Sequence, residues 1–554
     1  MNTGGDVPRD LDALIVGAGF AGLAMLNRLR GEGYAVHVCD VAPDVGGTWY
    51  WNRYPGARCD TESMQYSYQF DEQLQQDWEW TERFATQPEI LRYINHVTER
   101  FDLRGDISFN TRIESAHFDD QAGRWRITTA DGVIITATHC IMATGCLSAP
   151  IKPRIEGLES FDGECYHTGT WPHEEVDFKD KRVGIIGTGS SAVQALPLIA
   201  EDAAHVHVFQ RTPNYAVPAH NRPLDPDYVR DFKAHYAENR AAAKKLVAGF
   251  LCDYNSKSAL EVSEEQRQRE YQERWDRGGI AFLGAFSDIN YDADANATAT
   301  AFLHGKIREI VDDPKIAELL IPNSVVGCKR LCVDTDYYKT YNRDNVSLVD
   351  VRSSPIERIS AKGVVVAGEE YEIDMLVLAT GFDAVTGALK RIDIRGRGGL
   401  ALKDKWEDGP RSYLGLGIAG FPNLFTITGP GSPSVLTNML PSIEQHVDFI
   451  AECLGFMRDN NLTRIEATSE AEDDWVAYNE KWARASLRYD CASWYLGANV
   501  PGKPRVFMPF VAGLPLYIKK CEEIVADNYR GLAFQPEGQN QTAQQDGKAP
   551  AQAS

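Results

Sequence analysis

The sequence predicts an α/β fold with two Rossmann-like dinucleotide-binding domains and a helical insertion. Two glycine motifs carry this prediction. Each stands between a short apolar run and an apolar-periodic stretch, which is the pattern of a strand, a tight turn and a helix. A further strand follows each helix. The strand-like runs are DALIVG (12–17) and AVHVCD (35–40) in the first unit, and VGIIG (183–187) and HVHVFQ (205–210) in the second.

Composition restricts the partners and the compartment. The 554 residues suffice for two or three domains, and a formal net charge of −22 argues against a nucleic-acid partner, because phosphate backbones repel such a surface. The N-terminus lacks the apolar core of a signal peptide, and no run approaches the ~18 apolar residues of a membrane span. We therefore expect a cytoplasmic protein with no membrane partner. The eleven cysteines include no C-x-x-C pair and no zinc-ribbon spacing, which excludes a disulfide reductase and predicts no metal.

The first motif, GAGFAG, contains Gly17, Ala18, Gly19 and Gly22. The first glycine of such a motif permits the turn, the second lets a pyrophosphate approach the backbone, and the third lets the helix pack closely on the strand. The helix N-terminus adds unpaired amides and about half a positive charge. Asp40, at the end of the next strand, is placed to bond a ribose diol, with a solvated strand-end acid as the alternative.

The second motif, GTGSSA, ends in alanine and has no acid at the end of the next strand. Gln210, Arg211 and Thr212 stand there instead, and a guanidinium suits a 2′-phosphate as a carboxylate suits a 2′-hydroxyl. The sequence therefore predicts FAD at the first motif and NADPH at the second, with a surface arginine as the alternative for Arg211. The motif residues assigned to NADPH are Gly187, Thr188, Gly189, Ser190, Ser191 and Ala192.

An aromatic, glycine-rich stretch, GGTWYWNRYPGARCD (46–60), follows the first unit. Trp49 and Tyr54 can wall a flat ring, while Gly46 and Gly47 let the backbone approach it. An aromatic mini-core is the alternative, although two neighbouring dinucleotide sites favour the flavin-lining interpretation. Two A-T-G segments, 143–145 and 379–381, are expected to mark the crossings between domains.

A third stretch, FDGECYHTGTWP (161–172), resembles the F-x-G-x-x-x-H-x-x-x-W-P fingerprint of the Baeyer–Villiger monooxygenases, a family of class B flavoproteins. Residues 46–60 are similar to a second pattern of that family, G-G-x-W-x-x-x-x-Y-P-G-x-x-x-D, and the resemblance extends from residue 12 to about residue 534. Heteroatom-oxidising relatives usually have Tyr or Phe in place of Trp171. His167 has no Cys, His, Asp or Glu partner at metal-ligand spacing. We expect His167 and Trp171 to set a hinge between the domains, in an interdomain linker, through hydrogen bonds to backbone on both sides.

The resemblance implies a reaction in which NADPH reduces FAD and O2 then forms a C4a-peroxyflavin. This species attacks an aryl, alkyl or cyclic ketone to give an ester or lactone, and sulfoxidation is an expected additional activity. Arg330 is assigned to stabilise the peroxyflavin and Asp60 to hold Arg330. A structural salt bridge between domains and a loop acid, respectively, are the alternatives.

The resemblance also assigns residues to the two cofactors. Lys329 is expected to join Arg211 and Thr212 on the 2′-phosphate, with a solvated lysine as the alternative. Trp494 is expected to close over NADP on a mobile loop, with a core tryptophan as the alternative. The remaining residues assigned to the flavin site are Gly47, Thr48, Trp49, Arg58, Cys59, Asp60, Tyr66 and Met439.

The domain organisation follows from these patterns and from a charged, helix-favouring region at 226–320. The expected partners are a small-molecule ketone and O2, and the expected assembly is a monomer or a weak homo-oligomer. Two rival hypotheses are a heteroatom-oxidising flavin monooxygenase and a non-catalytic FAD- and NADP-binding sensor. The predicted boundaries are 1–149 and 381–536 for the FAD-binding domain, 150–216 and 326–380 for the NADP-binding domain, 217–325 for the helical insertion and 537–554 for a disordered tail.

Overall fold

The computed structural model describes residues 7–536, so the predicted tail lies outside the described residues. Within that range, two layered α/β units are each built on a mainly parallel sheet. The predicted fold class, two Rossmann-like units in one chain, is confirmed. No helix in this part of the chain combines the length and the apolarity needed to cross a membrane.

The first sheet has eight strands and carries the first glycine motif. The strand before Gly17 lies at its centre and pairs in parallel with both neighbours, whereas residues 113–142 add an antiparallel meander. Its spatial order is Asp393–Arg395, Ile113–Asp119, Arg124–Thr129, Ile134–Met142, Asp10–Val16, Val36–Cys39 and Ile107–Ser108, with Leu424–Thr426 also paired to Ile134–Met142.

The second sheet has five strands, all parallel, and carries the second glycine motif. Its spatial order is Val346–Asp350, His205–Gln210, Arg182–Ile186, Met375–Leu378 and Glu164–His167. The last strand corrects the prediction that 161–172 is a linker. Residues 164–167 pair in register with 375–378, so the first half of that stretch is an edge strand of the second unit.

The remaining elements complete both units. Three small sheets contain Ala216–Pro218 with Cys332–Asp334, Ile356–Ile359 with Gly363–Val366 and Glu369–Glu372, and Leu462–Ala467 with Leu532–Pro536. The α-helices of the described residues are Phe20–Gly31, Thr48–Trp51, Glu72–Asp77, Gln87–Arg100, Ser190–Asp202, Pro226–Ala234, Tyr236–Lys244, Glu264–Arg277, Ala293–Ile310, Pro314–Leu320, Tyr337–Thr340, Gly387–Lys390, Leu402–Lys405, Met439–Asp459, Ser469–Arg484 and Leu514–Ala526. Short 3₁₀ helices cover Ser63–Gln65, Arg104–Asp106, Leu158–Ser160, Thr168–Thr170, Ile280–Gly284, Arg397–Gly399, Ser434–Leu436 and Trp494–Leu496.

Local sequence explains the helices between residues 226 and 320. Asp225, Ser263, Asp292 and Asp313 each precede a helix, and their side chains accept hydrogen bonds from its first turn. The helices Glu264–Arg277 and Ala293–Ile310 contribute to a separate aromatic cluster, which includes the buried residues Tyr271, Phe282 and Phe302. The long helix Met439–Asp459, predicted at 441–458, packs instead against the helix of the first glycine motif.

Candidate functional site

The first glycine loop, residues 17–22, has no space for side chains at its turns. Gly17 has a φ of +112°, and a Cβ there would lie 2.5 Å from the carbonyl oxygen of Ala143, in the first A-T-G segment. A Cβ on Gly47 would lie 2.9 Å from the Cα of Gly19, so two loop backbones touch at this point. A Cβ on Gly22 would overlap the Gly17 carbonyl oxygen. No side chain caps the helix that follows, within the described residues, so its amides are available to a pyrophosphate.

Asp40 is buried and holds this loop in place. Its side-chain oxygens accept hydrogen bonds from the backbone N–H groups of Ala18 (2.5 Å) and Ala42 (2.7 Å). Burial raises the pKa of Asp40, and the two N–H donors oppose that rise. Each carboxylate oxygen of Asp40 has a second lone pair. The hydroxyl groups of a ribose diol would donate to these remaining lone pairs.

The aromatic stretch divides between the two units. Trp49 is buried in the first unit and donates from Nε1 to the hydroxyl of Tyr66 at 3.1 Å, with the two rings edge to face. Thr48, which is exposed, begins the short helix that holds Trp49. The structure corrects the prediction that Tyr54 walls the flavin. Its ring packs in the core of the second unit, and its hydroxyl donates to Gln194 of the second motif's helix at 2.8 Å.

The second glycine loop repeats the backbone of the first. Gly187 has a φ of +116°, and a Cβ there would overlap the carbonyl oxygen of Ala379, in the second A-T-G segment. At Gly189, no described atom lies within 4 Å of the position that a Cβ would occupy, so the loop is open where a pyrophosphate would approach. Ser190 is exposed, Ser191 is half-buried, and Ala192 is buried against the sheet.

The residues at the end of the strand His205–Gln210 differ in their exposure to solvent. Arg211 is exposed, and the carbonyl of Thr212 accepts from the hydroxyl of Thr188 at 2.7 Å, which joins this segment to the second loop. Burial lowers the pKa of Lys329, and the positive charge of Arg211 adds to that effect. The structure thus brings Lys329 and Arg211 together. Gln210, in contrast, is buried and donates to the carbonyl of Leu319 at 2.6 Å.

A bidentate ion pair joins the two units. The Nε of Arg330 lies 2.5 Å from one carboxylate oxygen of Asp60, and its Nη2 lies 2.9 Å from the other. Its Nη1 donates to the carbonyl of Val435 at 2.9 Å. Both charged side chains are about one-quarter exposed, 24% for Arg330 and 23% for Asp60. Burial by itself lowers the pKa of the guanidinium, but the attraction of Asp60 outweighs burial and raises it.

Several predicted flavin residues surround this pair. Burial raises the pKa of Cys59 to about 12 and raises that of Tyr66 well above its ordinary value, so both groups stay neutral beside the ion pair. Arg58 turns away to Glu82, with its Nη1 3.1 Å from the carboxylate. Met439 begins the long helix and contacts the cores on both sides of the site.

Trp494 lies on the segment predicted to close over NADP. Its ring is half-buried and packs against Tyr495, with the ring centroids 4.3 Å apart. Further along the same segment, the largely covered side chain of Lys503 binds Asp383 at 2.6 Å and the carbonyl of Ala384 at 2.9 Å. These two contacts anchor the Trp494 segment to the residues that follow the second A-T-G segment. Sequence analysis missed both Lys503 and the carbonyl of Val435. A lysine in a loop and a backbone oxygen give no sequence signal.

His167 lies where the two units meet. Its Nε2 is 3.2 Å from both the carbonyl of Ile151 and the hydroxyl of Thr380, and its Nδ1 accepts from the N–H of Gly169 at 2.9 Å. Burial lowers its pKa, which favours a neutral ring. The N–H of Trp171 donates to the carbonyl of Trp51 in the first unit at 3.3 Å. The predicted hydrogen bonds to backbone are confirmed, with one to a side chain as well.

The chain is similar to proteins of known activity. Residues 14–269, which contain both glycine loops, match the family described as pyridine nucleotide-disulphide oxidoreductase. A Baeyer-Villiger monooxygenase of Pseudooceanicola batsensis is 42% identical over 95% of this chain and 96% of its own. The phenazine N-monooxygenase PhzNO1 of Lysobacter antibioticus is 41% identical over 94% and 96%. The solved structure of an oxidized steroid monooxygenase bound to NADP is 50% identical, with a TM-score of 0.91 over 96% of this chain and all of that one.

Two dinucleotide loops on separate sheets, linked by an arginine–carboxylate pair, define a flavoprotein oxidoreductase that works with two dinucleotide cofactors. In the described residues all eleven cysteines are free thiols, and the sequence lacks the C-x-x-C pair that is typical of a disulphide reductase. The chain belongs to the Baeyer–Villiger monooxygenase family. It is therefore an FAD- and NADPH-dependent monooxygenase, as the resemblance implied.

Proposed function

We propose that this chain converts ketones to esters or lactones with NADPH and O2, and that Arg330 supplies the fixed positive charge on which the reaction depends. The single observation that carries the proposal is the bidentate pair of Arg330 with Asp60. The pair places a permanent cation at the junction of the two units. Ketones with aryl, alkyl or cyclic substituents are the proposed substrate class.

The two loops fit the two cofactors. In this proposal FAD lies on the first glycine loop, with Asp40, Gly47, Trp49 and Tyr66 around it. NADPH lies on the second loop, and Arg211, Thr212 and Lys329 bind its 2′-phosphate. When bound, the flavin accepts a hydride from NADPH and passes one oxygen atom of O2 to the ketone. The Gly47–Gly19 contact supports the first assignment, because it keeps side chains away from the N-terminus of the helix that follows the loop.

Arg330 retains donors for the reacting oxygen atoms. A guanidinium has five N–H groups, and three of them are used by Asp60 and the carbonyl of Val435. The remaining two N–H groups, one on each terminal nitrogen, can donate hydrogen bonds to an oxygen atom that becomes negatively charged during attack on a carbonyl carbon. Asp60 is a positioning residue, since it holds the plane of the guanidinium and raises the pKa of Arg330. These contacts support a role beyond that of a structural salt bridge.

Two segments line the same region and are proposed to shape the substrate range, 246–260 and 431–437. They approach each other at the end of the second segment, where the N–H of the next residue, Asn438, donates to the carbonyl of Ala248 at 2.8 Å. The second segment also contains Val435, whose carbonyl binds Arg330. A ketone held between them would lie beside the free donors of the guanidinium.

The other expectations stand as parts of this proposal. The division into domains at residues 150, 217, 326 and 381 is consistent with the two sheets. A closing movement of Trp494 over NADP is consistent with its half-buried position. The strongly negative net charge supports the absence of a nucleic-acid partner, because phosphate backbones repel such a surface. We also propose a cytoplasmic protein that acts as a monomer or a weak homo-oligomer.

The test is a series of ketones of graded size, assayed with the purified FAD-loaded protein for NADPH consumption and for product mass. A gain of one oxygen atom, with ester or lactone identified by fragmentation, is the expected result. The ketone size at which the rate of NADPH consumption falls will indicate the size of the pocket between 246–260 and 431–437. Consumption of NADPH without an oxygenated ketone product would contradict the proposal.

A second candidate function is heteroatom oxidation, which the similarity to a phenazine N-monooxygenase favours. Sulfoxidation of a thioether is proposed as an activity of the same site. An aromatic amine and a ketone offered together distinguish the two functions, because only ketone oxygenation inserts oxygen into a carbon–carbon bond. N-oxide without ester would make heteroatom oxidation the principal activity.

A further inference from the structure

The turn 325–328 leads directly into Lys329 and Arg330. Its last three residues are buried, and Gly327 has a φ of +85°, in the region of backbone conformation that favours glycine. Beyond the two charged residues, the strand Cys332–Asp334 pairs in parallel with a second strand. Lys329 and Arg330 are therefore suspended between a buried turn and a paired strand, and whatever fixes the turn also limits where their side chains can reach.

The side chain of Asn296 binds the backbone of this turn. Asn296 lies near the start of the helix Ala293–Ile310, in the helical insertion, and is 1% exposed. Its Oδ1 accepts a hydrogen bond from the N–H of Val326 at 3.0 Å, and its Nδ2 donates to the carbonyl of Val326 at 2.9 Å. One amide thus pairs with both backbone groups of a single residue, four positions before Arg330.

The remaining hydrogen-bonding capacity of Asn296 is also used. Its Nδ2 donates to the carbonyl of Ile289 at 2.8 Å, and its Oδ1 accepts from the hydroxyl of Thr300 at 3.2 Å. A side-chain amide has two N–H donors and two acceptor lone pairs, so all four positions have partners. A buried amide satisfied in this way specifies one arrangement of its neighbours, because a shift would leave a donor or an acceptor unpaired in the interior.

A second contact reaches the turn from the segment that leads to Trp494. The Nε of Arg488 donates to the carbonyl of Gly327 at 3.0 Å, and its Nη2 donates to the side-chain oxygen of Asn290 at 3.1 Å. A Cβ on Gly327 would lie 3.0 Å from that same oxygen. The turn therefore packs against the helical insertion and the Trp494 segment together, and Asn296 provides the contact that binds its backbone twice.

We propose that Asn296 is a positioning residue for oxygenation of the ketone, and that it acts by fixing the turn from which Lys329 and Arg330 extend. This inference rests on the proposed function. Arg330 makes three hydrogen bonds, to the two carboxylate oxygens of Asp60 and to the carbonyl of Val435, and a displaced guanidinium cannot keep all three at good geometry. A misplacement of about 1 Å can lower a reaction rate by up to roughly a hundredfold. Because Asp60 and the paired strand remain in place, we expect about a tenfold loss.

The first experiment compares Asn296→Ala with the wild type, both loaded with FAD. The rate of FAD reduction at saturating NADPH should stay within about twofold, since this step does not depend on Arg330. The KM for NADPH should rise by about threefold to tenfold because Lys329 shifts, and the ester formed per NADPH consumed should fall about tenfold because Arg330 shifts. Equal losses of reduction and of ester yield would show a general structural defect and overturn the proposal.

Asn423→Ala is the matched control. Asn423 is also 1% exposed, and its side-chain amide also bridges backbone groups, with Oδ1 accepting from the N–H of Ile465 at 2.8 Å and Nδ2 donating to the carbonyl of Thr463 at 2.9 Å. Its φ of +55° makes alanine unfavourable there as well. This control should lower thermal stability at least as much as Asn296→Ala and leave the KM for NADPH and the ester yield unchanged.

A cycle of double variants tests whether Asn296 acts through Arg330. Arg330→Lys has already lost the planar fork, so the position of the turn matters less in that background. Asn296→Ala should then lower the ester yield by less than about threefold, against about tenfold in the wild type, because coupled residues are not additive. A tenfold loss in both backgrounds would show independent effects and overturn the proposal.

Hydrogen exchange gives a readout that does not depend on activity. In the FAD-loaded protein without substrate, the backbone amides of 326–331 should exchange faster in Asn296→Ala than in the wild type or in Asn423→Ala, because the N–H of Val326 has lost its acceptor. Asn296→Asp is the second variant if Asn296→Ala does not fold, and it should show the same pattern of KM and ester yield, since a carboxylate cannot donate to the carbonyl of Val326. Unchanged exchange at 326–331 in Asn296→Ala would overturn the proposal. If the wild type oxygenates no ketone, the proposed function fails, and the exchange measurement still decides whether Asn296 fixes the turn.

Discussion

The bidentate geometry of Arg330 allows a quantitative prediction for Arg330→Lys. Lysine keeps the positive charge but has one nitrogen in place of the planar fork, so it can keep one bond to Asp60 and loses the second, together with the bond to Val435. Hydrogen bonds to charged groups contribute about 1.5–3 kcal/mol each, and the partial exposure of this pair places them at the lower end. Two lost bonds amount to about 3 kcal/mol, or a fall of roughly a hundredfold in ester formation. Arg330→Ala, which also removes the charge, should abolish the product.

The assay separates the two halves of the reaction. Anaerobic reduction of FAD by NADPH is followed by flavin absorbance, and ester yield is measured by mass after O2 is added. The rate of FAD reduction should stay within about twofold of the wild type in both variants, because the substitution affects the later oxygenation of the ketone. Arg182→Lys is the matched control. Arg182 forms the same bidentate pair with Asp374, at the opposite end of the strand that leads into the second loop. Normal ester yield from Arg330→Ala would refute the role of Arg330, and equal loss of reduction and oxygenation would show a structural defect.

Three further predictions follow from single side chains. Arg211→Ala should raise the KM for NADPH by roughly ten- to a hundredfold and leave that for NADH nearly unchanged, and equal effects on both cofactors would indicate a folding defect. His167→Ala should slow oxygenation relative to reduction with FAD still bound, whereas loss of FAD on gel filtration would place His167 in the flavin site. Burial raises the pKa of Glu444 to about 7 from an ordinary value of 4.5. The folded protein thus holds this proton more tightly than the unfolded chain, and the resulting stability is full below pH 4.5 and lost as the pH rises through 7. Relative to Glu444→Gln, the wild type should lose about 3 kcal/mol between these limits in urea unfolding, and parallel pH profiles of the two proteins would contradict this.

Local patterns sufficed for the strands and helices around both glycine loops. A glycine at a positive φ, an apolar strand before it and an apolar-periodic helix after it are all encoded within about thirty residues. Between 226 and 320, where the sequence predicted only a helical region, four of the five helices follow a residue whose side chain caps the first turn, and Tyr236–Lys244 has no such cap. The edge strand Glu164–His167 was not predicted. Its pairing partner, Met375–Leu378, is about two hundred residues away, and no feature of the short segment ECYH distinguishes an edge strand from a linker.

The sequence by itself determined the fold class, the positions of the two glycine loops and the family, since these depend on residue types at fixed short spacings. The tertiary structure alone decided which side chains face one another. It supplied the bidentate geometry of the Asp60–Arg330 pair, which the resemblance had implied, and it directed Tyr54 to Gln194 in the second unit. Each of these contacts joins segments distant in sequence, and packing of the two units against each other selects them. Spacing along the chain carries no information about such contacts, because their free energy is gained only when both partners are already folded.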